Sequence, residues 1–153
     1  MSLANIRAEY KSILSGVTTV GVVHDYERWS VDWSKFLVQF KDAATGKIKG
    51  WTITREKTIE AFTSGPGAER KHAFVIRGYL ALDDTAGSEK TFQDLVETVC
   101  DTFRPKTTLN GKVEQVEAPL QVDLVEVRLF GAVLCHYCEL RQTVEELLTF
   151  TES

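Results

Sequence analysis

A chain of 153 residues, 43% apolar and 26% charged, has the size and composition of one compact globular domain, residues 1–153, and leaves no room for a second. Its net charge of −4 offers no electrostatic footprint for wrapping nucleic acid, since phosphate binding rests on clustered Lys and Arg, so no sequence-specific nucleic-acid partner is expected. No window reaches the roughly eighteen uninterrupted apolar residues of a membrane span, and the first residues lack the basic-then-apolar pattern of a secretory leader; a soluble, intracellular protein without a membrane partner is expected.

In chain order, Leu3, Ile6, Tyr10, Ile13, Leu14 and Val17 recur at helical spacing and predict an amphipathic helix from about Ala4 to Leu14, closed by Ser15-Gly16. "TVGVVHDYE", Thr19 to Glu27, is dense in β-branched residues and reads as a strand. Trp29, Trp33, Phe36, Leu37 and Phe40 then form one stripe of a second helix, with Ser30 or Asp32 available as its N-cap. "IKGWTITRE", Ile48 to Glu56, is a strand entered through the glycines of a turn. Ile59 to Lys71, "IEAFTSGPGAERK", carries Ser-Gly-Pro-Gly in its middle, continues neither period, and is expected to be a long exposed loop.

"HAFVIRGYLALDD" is the clearest strand, with His72, Phe74, Ile76 and Leu80 on one face and Ala73, Val75, Arg77 and Tyr79 on the other. Both faces are fairly apolar, which predicts a central position in a sheet. Ser88 is placed to cap a third helix whose stripe runs Phe92, Leu95, Val96, Val99, Cys100 and Phe103 and stops before Pro105. After a polar segment with an Asn110-Gly111 turn, Val122 to Phe130 and Ala132 to Val144 read as two long strands meeting near Gly131. Runs of adjacent strands without regular βαβ alternation predict an α+β fold: a mainly antiparallel sheet packed by two to three helices, with a long protruding loop.

Several stretches invite a chemical reading. In "HDYER", strand alternation points His24 away from Asp25 and Glu27, so no local acid–base pair forms. Asp25 and Glu27 share a face, and with "ERK", Glu69 to Lys71, they compose the sharpest enzymatic alternative, a metal-dependent nuclease; a hard cation would need further oxygen ligands from elsewhere. "CHYC", Cys135 to Cys138, is half of a zinc site with no second half, and on a strand its two cysteines face opposite sides of the sheet. With Cys100 on a helix stripe, the three cysteines read as free thiols packed in a reducing compartment. His72 and His136 read as structural histidines. No Walker A, Rossmann or G-x-S-x-G pattern is present, and no catalytic residue, metal ligand or cofactor is assigned.

Weight therefore moves from chemistry to surfaces. "GVVHDYERWS", the following "WTITRE", "FVIRGY" and the late "LFGAVLCHY" resemble, in order and spacing over about Ile6 to Val144, stretches of the tail-terminator (tail-completion) proteins of tailed bacteriophages and prophages. The resemblance implies a small α+β structural subunit, not an enzyme, that forms a homo-oligomeric, hexameric ring, caps the tail tube protein and meets the head–tail connector. It would be found in the virion tail and, during assembly, in the cytoplasm of the bacterial host. Interfaces favour aromatic and arginine anchors, which makes Arg28, Trp29, Trp51 and Arg77 candidates, with Arg70 and Lys71 at the basic end of the expected loop. Trp33 is the tryptophan expected to fill the core. A small regulatory binding module sharing the α+β layout is the third reading.

Overall fold

The structure, a computed structural model, describes residues 2–152 and has the α+β fold expected. Its elements are α1 (Leu3–Ser15), β1 (Val22–His24), α2 (Trp33–Val38), β2 (Lys49–Phe62), β3 (Gly67–Ala81), α3 (Ser88–Phe103), β4 (Gln115–Val116), β5 (Gln121–Phe130) and β6 (Val133–Thr149). Among the described residues no helix is long and apolar enough to cross a membrane.

The two long helices follow their apolar stripes. Ser2 caps α1 by accepting from the Asn5 N–H at 3.2 Å, and Ile6, Tyr10, Ile13 and Leu14 are buried on one side. In α3 the buried set is Phe92, Leu95, Val96, Val99 and Phe103, each of which stabilises the fold by roughly 1.5–3 kcal/mol on leaving water. Ser88 is not the cap of α3, as had been expected. Gly87 holds that position in the left-handed region (φ 68°), while the Ser88 hydroxyl accepts from the Asp83 N–H at 2.8 Å and lies 2.7 Å from His136 Nε2.

The sheet runs β1-β2-β3-β6-β4, with β5 also paired to β6, and every pairing is antiparallel except β1 with β2. The strand expected from Thr19 to Glu27 is shorter, Val22 to His24. Gly21 turns the chain at φ 92°, where a Cβ would lie 2.2 Å from the Lys49 carbonyl oxygen, and a bend begins at Asp25.

Both faces of the sheet are covered. α1 and α3 pack on one face over Trp51, Ile53, Phe74, Ile76, Cys138, Leu140 and Val144. A smaller aromatic cluster occupies the other: Phe36, Leu37, Phe40, Tyr79, Phe130, Cys135 and Tyr137. Strand alternation across two buried faces is why the central strands look apolar throughout. It also separates Cys135 from Cys138, one on each face and both free thiols. Two glycines make room for rings. Gly78 pairs across the strands with Trp51 and lies under its indole, and Gly50 pairs with Tyr79 and lies under Phe40 on the opposite face.

The expected loop from Ile59 to Lys71 is a hairpin instead. β2 continues to Phe62 and β3 starts at Gly67, in unbroken register from Lys57↔Ala73 to Phe62↔Ala68, leaving only residues 63–66 as the turn. β6 runs alongside to Thr149↔Gly67, so the protrusion is a three-stranded arm. A bulge between Arg55 and Lys57 marks its base. Beyond the bulge β2 is exposed on both faces, which is why its sequence shows no alternation.

Candidate functional site

The second face of the sheet carries a pocket of about 330 Å³. Its floor is the sheet: Thr52 and Arg77 are cross-strand partners on β2 and β3, and Tyr79 pairs with Tyr137 of β6. One wall is the segment from Glu27 to Phe36, in which Asp32 caps the short helix α2 by accepting from the Ser34 N–H at 2.9 Å. Arg128, Leu129 and Phe130 of β5 form the other wall. The rings interlock edge to face: Trp33 lies 5.4 Å from Phe36 and 5.6 Å from Phe130, and Phe36 lies 6.0 Å from Tyr79. Burial pushes the Tyr79 phenol up to about 12 and raises that of Tyr137, whose hydroxyl donates to Glu139 Oε2 at 2.7 Å, so both rings are neutral, apolar surfaces with a polar tip.

Three arginines line the pocket against one carboxylate, Glu27. Arg128 is fully engaged, at 2.5 Å from Glu126 and over the Tyr137 ring at 4.2 Å. Arg77 is not: its Nη1 is 3.7 Å from Glu27, beyond hydrogen-bond length, and has no hydrogen-bond partner. Thr52 Oγ1 is likewise buried without one. Arg28 lies over Tyr26 at 5.1 Å and has no carboxylate partner among the described residues.

Of the residues singled out beforehand, Arg28, Trp29 and Arg77 are thus brought together, and Trp29 is 66% exposed at the mouth. Trp33, expected in the core, is half-exposed beside it. Trp51 is corrected from an interface candidate to a core residue: it is 1% exposed, and its Nε1–H donates to the Val20 carbonyl oxygen at 2.9 Å on the face away from the pocket. Arg70 and Lys71 lie apart, on the arm, and are not a free basic patch. Arg70 meets Glu60 at 2.5 Å and Glu146 at 3.7 Å, while Lys71 meets Glu117, Glu145 and Glu69 within 3.7 Å, which raises the pKa of both cations.

The nuclease alternative finds no constellation. Asp25 lies in the bend after β1, Glu27 faces Arg77, and Glu69 faces Lys71 on the arm. Among the described residues no three His, Cys, Asp or Glu side chains stand together so as to hold a metal. His24 donates from Nε2 to the Gln39 carbonyl oxygen at 2.8 Å, which ties the segment before α2 to the helix end. His72 is buried in the arm between Thr58 Oγ1 (2.8 Å) and Glu146 Oε1 (3.5 Å), and burial holds its pKa below the ordinary value.

Thr52, Arg128 and Tyr137 were not anticipated. The only signal pointing toward them was Arg77 beside Tyr79 on one face of an otherwise apolar strand, a cation that had to have something to meet. A scan against protein-family models finds no match for this chain, and a search of curated proteins finds none either.

Proposed function

We propose that the chain is a structural subunit of the tail-terminator kind, working as a ring of identical copies that caps a phage tail tube and faces the head–tail connector. The observation that carries the reading is the three-stranded arm, which holds Ile59, Phe62, Leu147 and Phe150 exposed near its end, with Phe62 82% exposed and its ring 6.0 Å from that of Phe150. Apolar side chains on a strand-paired projection are placed to be buried by another chain, since leaving them in water forgoes roughly 25 cal/mol per Å² of apolar surface. The resemblance of "GVVHDYERWS", "WTITRE", "FVIRGY" and "LFGAVLCHY" to tail-terminator sequences names the kind of assembly. In this reading the neighbouring copy covers the arm, and the ring works in the virion tail with no catalytic residue and no cofactor.

The test is light scattering and negative-stain imaging of the protein alone and with assembled tail tubes of a matching phage. Rings at tube ends and arrested tube growth are expected, and a Phe62→Ser/Phe150→Ser variant should lose both while keeping its melting temperature. A protein that stays monomeric beside assembled tubes and leaves their length distribution unchanged defeats the proposal.

A further inference from the structure

We propose that the pocket between α2, the sheet and β5 is an anchor site for a segment of a partner protein that presents a carboxylate beside a large apolar side chain. The inference does not rest on the tail-assembly reading, because it uses none of the exposed apolar residues of the arm, and Arg28, Trp29 and Arg77 enter it by their place in the pocket.

The polar half of the occupant follows from what the pocket leaves unsatisfied. Thr52 is 1% exposed, yet its hydroxyl has no partner, and the cross-strand Arg77 also lines the pocket with a guanidinium nitrogen that forms an ion pair with Glu27 at 3.7 Å but makes no hydrogen bond. A buried hydroxyl and a buried N–H without partners each cost about 1–3 kcal/mol. Valine in place of Thr52 would fill nearly the same volume without that cost, so the hydroxyl is a group that an occupant of the pocket can use. A carboxylate satisfies both groups once the two side chains turn outward to meet it, since both atoms are shielded from water in this structure; it then accepts from the guanidinium in the charge-assisted geometry that arginine favours and from the threonine hydroxyl. Arg28, without a carboxylate of its own, adds attraction at the mouth, although the chain as a whole is acidic.

The apolar half follows from the walls. Trp29, Trp33 and Phe36 oppose Leu129 and Phe130, and the exposed apolar surface continues outside the pocket over Val31, Val133 and Leu134. A free metabolite would be served by the pocket alone. An apolar rim around an arginine and aromatic centre is the composition of a protein-binding hot spot, in which the rim excludes water from the central contacts.

The test uses the whole chain, ¹⁵N-labelled, titrated with two blocked dipeptides, acetyl-Phe-Glu-amide and acetyl-Phe-Gln-amide, and separately with phenylacetate. The expected result is saturable shifts of the Trp29 and Trp33 indole signals and the Thr52 and Arg77 amides with the Glu peptide, the Trp51 indole staying still. The Gln peptide should bind at least about tenfold more weakly, the loss of a charge-assisted contact. Thr52→Val should melt at or above the wild-type temperature while its affinity for the Glu peptide falls several-fold. That pairing of kept stability with lost binding is one a merely structural threonine does not produce. The proposal is overturned if the Glu and Gln peptides bind alike, if Thr52→Val binds as wild type, or if neither peptide shifts these signals. Phenylacetate binding more tightly than the Glu peptide overturns it too, in favour of a small-molecule pocket.

Discussion

Gly78→Ala is the sharpest probe of how the two faces of the sheet are spaced. A Cβ at this position would lie 2.5 Å from Cζ3 and 2.8 Å from Cε3 of Trp51, and 2.8 Å from Cys138 Sγ, whereas carbon atoms pack at about 3.5–4.0 Å. Neither neighbour has room to withdraw. The Trp51 indole is held by its bond to the Val20 carbonyl oxygen and stacks on Phe92 at 6.3 Å, and Cys138 is fully buried. Overpacking of a core costs about 1–3 kcal/mol, and a rigid ring as the obstacle argues for the upper half of that range. Alanine recovers about 0.4–1 kcal/mol by restricting the unfolded chain, for a net loss of roughly 1–2.6 kcal/mol. In a chain of this size each kcal/mol moves the midpoint by about 2–4 °C, so thermal unfolding followed by circular dichroism should show a drop of roughly 2–10 °C. The same substitution in a Trp51→Leu background should cost clearly less, since the ring has gone and only the Cys138 Sγ contact remains, giving a coupling of about 1 kcal/mol or more in the double-mutant cycle. A Gly78→Ala protein that melts with the wild type, or an equal penalty in both backgrounds, refutes the reasoning.

Three further expectations concern groups that the proposed sites leave unused. Burial lowers the pKa of both His72 and His136 from the ordinary 6.5, so the fold prefers them neutral and the unfolded chain takes up their protons first; stability is full above 6.5 and declines as pH falls below it. Urea midpoints that stay level from about pH 7.5 down to about pH 5 would contradict this. Tyr10→Phe removes the buried hydroxyl that donates to Gln142 Oε1 at 2.7 Å and should cost about 1–2 kcal/mol by chemical denaturation; wild-type stability would mean the bond contributes nothing. Burial raises all three thiols, Cys135 to about 11, so a disulfide reagent at neutral pH should label the half-buried Cys100 first and the other two only on unfolding; three equal rates would be wrong for this packing.

How much of this could be read beforehand depended on burial. α1, α3, β3 and β6 each bury one or two faces, and burial imposes a period on the sequence, while the largely exposed β5 is legible from its β-branched residues instead. The same parity separated Cys135 from Cys138 in advance. The arm was misread because its outer half buries little: "IEAF" and "AERK" lack alternation, and the Ser-Gly-Pro-Gly between them punctuates a four-residue turn, not a whole loop. Trp51 looked like a surface anchor because what buries it, Phe92 of α3 and the core around it, and what makes room for it, Gly78 on the neighbouring strand, are far from it in sequence. The pocket was half legible. Arg28, Trp29 and Arg77 stood out by type, but Thr52, Tyr137 and Arg128 come from three different strands, and only the register of those strands puts them in one place.

The pairing of β6 with β3, β4 and β5 has a consequence for synthesis. β3 ends at Ala81 and its long-range partner begins only at Val133, so at about 5–20 residues per second a ribosome leaves one whole side of β3 unpaired for on the order of several seconds. During that interval the nascent β2–β3 hairpin is an open template for any other extended chain nearby. Glu69, Arg70, Lys71 and Arg77 lie along that strand, and before β6 arrives their charges are what discourage a stranger from taking its place.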